Sequence, residues 1–149
     1  MGVPMTVHPQ HVGYHAVNPF IVSDDPEALI AFLTRVFAGV ETERITRPDG
    51  SIGHSEVRVD DSIIMVSSGS ESYPPQPSSH YVYVPDVDAT YARALATGAT
   101  SLGEPSDKFY GNREAGVRDP LNNVWWIATL KEVVPADELQ SRFDASRES

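Results

Sequence analysis

An internal repeat constrains the fold of this chain more than any other sequence feature. Each half contains a short apolar strand, then a helix, then three further strands, and the two sets occupy residues 17–68 and 80–130. The aspartates predicted to open the two helices, Asp24 and Asp86, lie 62 residues apart. A repeated order of elements at a fixed spacing is typical of duplicated supersecondary units. Each half is therefore predicted to form a βαβββ module.

The helices carry recognisable start and stop signals. In the first half, Asp24 or Asp25 suits the N-cap, Pro26 suits the first turn, and Gly39 suits the end of the helix. Apolar side chains between them recur at helical spacing: Leu29, Phe32, Leu33, Val36 and Phe37. In the second half, Asp86 opens the helix and Gly98 closes it.

The same start and stop signals, together with a Ser/Pro-rich stretch, divide the chain into segments. We expect a flexible N-terminal segment (1–12), a single domain (13–131) and a helical C-terminal tail (132–149). Within the domain, module 1 spans about 13–69, a Ser/Pro-rich linker covers 70–79, and module 2 spans about 80–131. Residues 106–114 are predicted to form a loop.

Length, charge and cysteine content limit the classes of protein to which this chain can belong. The 149 residues are enough for one ordinary domain. The net charge of −10, with dispersed basic residues, argues against a nucleic-acid partner. The absence of cysteine excludes disulfides, thiolate metal sites and cysteine nucleophiles. No apolar run of about 18 residues and no signal-peptide pattern are present, so we expect a cytoplasmic protein with no membrane contact.

The repeat and four of its segments resemble the vicinal oxygen chelate superfamily, which includes glyoxalases, extradiol dioxygenases and bleomycin-resistance proteins. The segments are VSDDPEALIAFLTRVFAG, GHSEVRVDDSIIMVSS, YVPDVDATYARALATGA and FYGNREAGVRDPLNNVWWIAT. The resemblance implies an α+β fold in which two βαβββ modules form a curved mixed sheet with a concave cleft and helices outside. The HxE strand and the FYGxR…VRDPxxxxW segment are most similar to the PhnB-like branch.

In metal-dependent members of that superfamily, the ligands lie on the first and last strands of each module. Carried over by resemblance, these positions fall on Asn18, on Ser79 or its neighbour His80, near Ile64, and on Trp126. Isoleucine and tryptophan do not coordinate divalent cations, and an amide with a hydroxyl binds them weakly. We therefore predict no metal site. Strand alternation turns His80 toward the helix rather than the cleft.

His54 and Glu56 lie two residues apart in the segment GSIGHSEVRV, so they project from one face of the predicted strand. Four interpretations stay open. The pair forms a polar wall of the cleft that bonds a ligand, it is a solvent-exposed pair with no functional role, it acts as an acid/base pair in catalysis, or it binds a divalent metal (Zn, Ni, Mn or Fe) together with a third ligand such as His80.

Aromatic and cationic side chains complete the candidate site. Trp126 offers a flat apolar face on which an aromatic or cationic ligand would stack, whereas Trp125 points into the core. Arg118 is a candidate partner for Glu56 or for an anionic ligand group. The predicted ligand-binding set is Asn18, Phe20, His54, Glu56, Tyr83, Phe109, Tyr110, Arg113, Arg118 and Trp126.

These features favour a protein that binds a small organic molecule, possibly aromatic, between its modules without a metal. The resemblance to bleomycin-resistance proteins implies sequestration of a toxic compound, hence antibiotic resistance, by a homodimer. Two alternatives stay open: a glyoxalase- or dioxygenase-type metalloenzyme, and a metal-free lyase, isomerase or cyclase that uses His54 or Glu56. Whether the chain is an enzyme is thus left undecided by the sequence.

Overall fold

The computed structural model describes residues 7–147 and confirms an α+β fold built from two βαβββ modules. The first module contains β1 (Phe20–Ser23), α1 (Pro26–Phe37), β2 (Val40–Thr46), β3 (Ile52–Val59) and β4 (Ser62–Ser68). The second contains β5 (Ser79–Tyr83), α2 (Val87–Ala96), β6 (Thr100–Asp107), β7 (Asn112–Arg118) and β8 (Val124–Leu130). A third helix, α3 (Ala136–Arg147), follows the second module.

Each module forms its own four-stranded mixed sheet, and the two sheets have the same topology. The strand orders are β1-β4-β3-β2 and β5-β8-β7-β6. In both sheets the first and last strands pair in parallel, and the other neighbours are antiparallel. A helix packs on one face of each sheet, so the opposite face, here called the open face, carries the alternate residues of every strand.

Helix α1 begins one residue later than the spacing of the two aspartates predicts. The Asp25 carboxylate, not that of Asp24, accepts the hydrogen bond from the Ala28 backbone N–H at 3.1 Å. At the other end, Ala38 rather than Gly39 adopts the left-handed conformation, with φ of 54°. Glycine is required at position 39 for another reason, because a Cβ there would lie 2.8 Å from Val57 Cγ1.

One hydrophobic core runs through both modules. The fully buried ring of Trp125 on β8 packs against Phe37 and Phe32 of α1, with ring centroids 5.3 and 6.4 Å apart. Arg93 of α2 donates a hydrogen bond of 3.1 Å to the Val36 carbonyl at the end of α1. The modules therefore bury their helix faces against each other, and the open faces are left for other contacts.

The predicted loop over residues 106–114 is wrong. Strand β6 continues to Asp107 and β7 begins at Asn112, which leaves a tight turn closed by Gly111. Gly111 has φ of 100°, and a Cβ at this position would collide with the carbonyl oxygen of Glu132. Only glycine meets both demands, and the extension of β7 places Asn112 and Glu114 on the open face of the second sheet.

The chain after the second module forms helix α3 over Ala136–Arg147. Phe143 contacts Phe109 with a centroid distance of 5.7 Å, and the Arg142 guanidinium donates to the Phe109 carbonyl at 3.0 Å. These contacts hold α3 beside the β6–β7 turn. Over residues 7–147, no helix is both long and apolar enough to cross a membrane.

Candidate functional site

The structure places some of the predicted site residues in two groups, one on the open face of each sheet. In the first sheet, Val57 and Val66 point into the core, so the alternate residues His54 and Glu56 of β3 face away from α1. In the second sheet, Trp125 lies in the core and Trp126 on the open face. Successive side chains of a strand point to opposite faces. His54 and Glu56 therefore share one face, and Trp125 and Trp126 lie on opposite faces, as the sequence predicts.

The first group, which we name the Glu56 cluster, comprises Tyr14, Phe20, His54 and Glu56. The Glu56 side chain is only 8% exposed, yet it accepts a hydrogen bond from the Tyr14 hydroxyl. Its other oxygen lies 3.3 Å from His54 Nε2. The Phe20 ring stacks on His54 with a centroid distance of 6.3 Å. Tyr14 was not predicted as a site residue, because nothing in the unpatterned segment before β1 links it to a residue 42 positions later.

These hydrogen bonds fix the charge of the cluster. Burial raises the pKa of Glu56, but the bonds from Tyr14 and His54 outweigh burial and hold that pKa below its usual value. In return, the hydrogen bond to Glu56, with a smaller effect of burial, raises the pKa of Tyr14 to about 12. At neutral pH Glu56 is therefore a carboxylate, and the neutral phenol of Tyr14 donates a hydrogen bond to it.

The second group, the tyrosine cluster, comprises Tyr81, Tyr83, Tyr110, Asn112 and Glu114. The buried Glu114 carboxylate accepts hydrogen bonds from the Tyr81 hydroxyl at 2.7 Å and the Tyr110 hydroxyl at 2.5 Å. The Asn112 amide donates to the hydroxyls of Tyr81 and Tyr83 at 2.8 and 3.2 Å. Burial, together with the bond to Glu114, raises the pKa of Tyr81 to about 12, and the same two causes raise the pKa of Tyr110.

Three members of the tyrosine cluster were not predicted as site residues: Tyr81, Asn112 and Glu114. Asn112 and Glu114 were not predicted because residues 106–114 were expected to form a loop. The signal that would have found them is the period-two run Asn112, Glu114, Gly116, Arg118, which places one set of side chains on one face of a strand.

Trp126 lies beside this cluster. It pairs in register with Tyr81 on β5 and with Gly116 on β7. The indole lies against Gly116, where a Cβ would fall well inside contact distance of the ring, and Trp126 remains 37% exposed. The missing side chain at position 116 thus provides the space in which the indole lies.

Replacing Gly116 by alanine is expected to displace the Trp126 ring and to lower the free energy of unfolding by about 1–3 kcal/mol, the usual cost of overpacking. The emission of Trp126 should shift as its surroundings change. The matched control is Gly103→Ala on the neighbouring strand, because a Cβ at Gly103 meets nothing within 4 Å. Fluorescence and urea unfolding check both variants, and equal effects of the two would contradict this account.

The two predicted arginines do not join either cluster. The Arg113 guanidinium is on the helix-facing side, where it donates to Asp88 at 2.8 Å and to Asp107 at 3.2 Å. Those two carboxylates raise its pKa above the usual value. Arg118 is exposed at the end of β7. Its proposed partner Glu56 is bonded to Tyr14 and His54 instead, so the predicted Arg118–Glu56 pair is not formed.

Asn18 and Phe109 also lie outside the two clusters and contact other residues. Asn18 precedes β1, and its amide bonds the backbone N–H and carbonyl of His15 at 3.1 and 2.8 Å. Phe109 lies edge-on to Tyr110 with a centroid distance of 5.0 Å and packs on the C-terminal helix. Asn18 thus stabilises a local turn, and Phe109 touches the tyrosine cluster only through Tyr110.

The positions that would hold a metal by resemblance do not fit one. Ile64 lies in the core, so the open-face position of β4 is Met65, which pairs with Phe20 across the sheet. The corresponding pair in the second module is Tyr81 and Trp126. A thioether, a phenyl ring, a phenol and an indole are poor donors for a divalent cation. Within residues 7–147, no three His, Asp or Glu side chains are grouped to hold a metal.

His80 takes the orientation that strand alternation predicts. Its ring stacks on Trp125 with a centroid distance of 4.7 Å, and Nε2 lies 2.8 Å from the Ser78 hydroxyl. Burial lowers the pKa of His80, which keeps the imidazole neutral against the core. His80, His54 and Glu56 therefore do not form the alternative ligand set.

Three cavities adjoin the clusters, and two of them are lined by two or more cluster residues. One of about 330 Å³ lies between the modules and is lined by Tyr81 and Tyr83 together with residues of the first module such as Pro19 and Ile64. The other, of about 620 Å³, adjoins the Glu56 cluster and is lined by His11, Val12, Tyr14, Glu43, His54 and Glu56. Volumes of this size accommodate small organic molecules.

Comparisons with known proteins agree with this architecture. The family model described as Glyoxalase/Bleomycin resistance protein/Dioxygenase superfamily matches residues 9–127. An uncharacterized protein of Mycobacterium bovis, Mb0911c, is 31% identical over 137 residues, which cover 85% of this chain and 90% of the relative.

Solved structures share the fold. TioX from Micromonospora sp. ML1 is 26% identical and superposes with a TM-score of 0.65 over 77% of this chain and 99% of its own. TnmS3 from Streptomyces sp. CB03234, described as an antibiotic binding protein, is 19% identical with a TM-score of 0.63, over 85% of this chain and 100% of its own. A PhnB protein from Bacillus cereus is 13% identical with a TM-score of 0.63 over 77% and 99%. It is one neighbour among several, so the PhnB-like branch stays a prediction.

Proposed function

This chain belongs to the Glyoxalase/Bleomycin resistance protein/Dioxygenase superfamily, and on that premise we propose that it binds a small aromatic molecule without a metal ion. The observation that carries the proposal is the partly exposed indole of Trp126 on the open face, at a position where the resemblance implies a metal ligand. An indole offers stacking area and no lone pair for a cation. TnmS3, which has the same fold, is described as an antibiotic binding protein, and this supports a small-molecule ligand.

The surroundings of Trp126 suit such a ligand. Tyr81 and Tyr83 are 46% and 63% exposed, so aromatic surface continues from the indole toward the cavity between the modules. Behind them, Glu114 and Asn112 hold these two phenols in one orientation through three hydrogen bonds. A mostly apolar surface with a few fixed polar groups is the usual composition of a small-molecule site. In this proposal the ligand stacks on Trp126 and contacts the tyrosine hydroxyls at its edge.

Titration with a panel of planar aromatic antibiotics tests the proposal. We expect saturable quenching of tryptophan emission by at least one compound, and calorimetry should show binding weakened about tenfold or more by Trp126→Ala, since stacking contributes about 1 kcal/mol beyond burial of area. Trp126→Phe, which keeps an aromatic face, is the matched control and should retain most of the affinity. Added Zn²⁺ or Mn²⁺ and prior chelation should change nothing. Unchanged affinity in the Trp126→Ala variant, or a stoichiometric metal ion that survives purification, would overturn the proposal.

One observation favours a second candidate function. Glu56 lies between an imidazole and a phenol, which is an arrangement suited to moving a proton on a bound molecule. A metal-free lyase, isomerase or cyclase would show conversion of a bound compound that Glu56→Gln abolishes while affinity survives. The homodimer and the cytoplasmic location stay predictions.

A further inference from the structure

The Glu56 cluster has a feature that the proposed function leaves unused, because its buried carboxylate is occupied by a phenol from the chain itself. We infer that Glu56 and His54 form a subsite for the phenolic hydroxyl of an aromatic ligand, and that Tyr14 fills this subsite as an internal stand-in when no ligand is bound. The inference rests on the proposed function and narrows its ligand class to compounds that carry a phenol.

The described hydrogen bonds of the segment that carries Tyr14 lie mainly within the segment itself. Residues 7–18 form no helix or strand. Their other described hydrogen bonds are local: Tyr14 N–H to the His11 carbonyl at 3.2 Å, the Gln10 amide to the Tyr14 carbonyl at 2.9 Å, and the pair between Asn18 and His15. Among the described hydrogen bonds of these residues, Tyr14 to Glu56 is the one that reaches a strand. Loss of that single bond would release the segment from the sheet.

The subsite that Tyr14 occupies is built for a hydroxyl donor. With Tyr14 in place the Glu56 side chain is 8% exposed, and a carboxylate oxygen without a donor in such a site is costly, so the departure of Tyr14 leaves one Glu56 oxygen in need of another donor. His54 stands at the second oxygen, and Phe20 stacks on His54, so an incoming aromatic ring meets a flat wall. The adjoining cavity of about 620 Å³ is lined on one side by His11, Val12 and Tyr14, so it widens when the segment withdraws.

The exchange of one phenol for another explains how Tyr14 regulates the site. A ligand phenol replaces a hydrogen bond of the same kind, so this bond adds little net affinity while Tyr14 competes. The apparent dissociation constant equals the intrinsic constant divided by the fraction of molecules in which the subsite is open. Removing the Tyr14 hydroxyl should therefore tighten the binding of phenols, whereas a compound without a hydroxyl offers Glu56 no donor and gains little.

The test uses p-cresol, which is the side chain of tyrosine, and its methyl ether 4-methylanisole, followed by NMR titration of the backbone amides around His54. In Tyr14→Phe we expect the dissociation constant of p-cresol to fall about tenfold relative to the unmodified protein, with little change for the ether. Glu56→Gln should remove the preference for the phenol. The matched control is Tyr73→Phe, an exposed tyrosine of the linker, which should behave like the unmodified protein.

Hydrogen exchange gives an independent readout. Amides of residues 8–17 should exchange faster in Tyr14→Phe, and also in the unmodified protein at saturating p-cresol. Equal affinity for p-cresol and its ether in every variant, or no binding of p-cresol at all, would overturn the subsite and leave the Trp126 titration to decide the proposed function. Unchanged p-cresol affinity and exchange in Tyr14→Phe would overturn the stand-in role of Tyr14.

Discussion

Replacing Trp125 by alanine is expected to lower the free energy of unfolding by about 3–5 kcal/mol, which is the usual cost of removing a large aromatic side chain from a packed core. Trp125 is fully buried, its ring contacts His80, Phe37 and Phe32, and its Nε1 donates to Asp119 at 2.9 Å. Because these partners come from both modules, the cavity left by the substitution would lie between the two modules. Urea unfolding followed by circular dichroism measures the loss.

The adjacent tryptophan provides the matched control. Trp126 has the same chemistry and the next position in the chain, but it lies on the open face and is 37% exposed. We expect Trp126→Ala to cost less than half as much stability as Trp125→Ala, with its main effect on ligand affinity. Similar losses of stability from the two substitutions would contradict the division between a core tryptophan and a ligand-binding one.

Replacing Asp119 by alanine is expected to destabilise the protein by about 3 kcal/mol or more, since each buried donor left without an acceptor costs about 1–3 kcal/mol. The Asp119 carboxylate is buried in the turn between β7 and β8 and accepts four hydrogen bonds. The donors are the backbone N–H groups of Leu121 and Asn123, the Asn123 amide and the Trp125 indole, at 2.8–3.0 Å.

The loss should spread beyond this turn. Asn123 also accepts hydrogen bonds from the backbone N–H and hydroxyl of Ser78 at 3.0 Å, which ties the end of the linker to the second sheet. The corresponding turn of the first module contains the control. Asp61 accepts a described bond only from the exposed Ser62 hydroxyl at 3.1 Å, so Asp61→Ala should change stability by no more than about 0.5 kcal/mol. Comparable destabilisation by Asp119→Ala and Asp61→Ala would contradict this assignment.

Several features of the site could be predicted because they depend on one strand at a time. Alternation places His54 and Glu56 on one face, separates Trp125 from Trp126, and turns His80 toward the core. The same reasoning failed where the strand itself was missed. Asn112 and Glu114 became visible as site residues only when β7 was found to begin at Asn112.

Other features depend on partners that are distant in the chain. The phenol on Glu56 comes from Tyr14, and one of the two phenols on Glu114 comes from Tyr81. Arg113 was predicted to contact a ligand, but its guanidinium pairs with Asp88 of the helix that packs on the other face. These pairings depend on which elements pack together. Composition, or residue spacing within one strand, does not predict that packing.

The sequence by itself determined the two βαβββ modules, the facing of residues along each strand, and a set of side chains poorly suited to hold a metal where relatives are expected to hold one. These properties are local, because the periods of helices and strands act over a few residues. Only the tertiary structure decided that Tyr14 bonds Glu56 and that Glu114 organises the tyrosines beside Trp126. Hydrogen bonds across 42 or 33 residues form only when packing of the core brings the two groups into reach, so the pairing is a property of the folded chain.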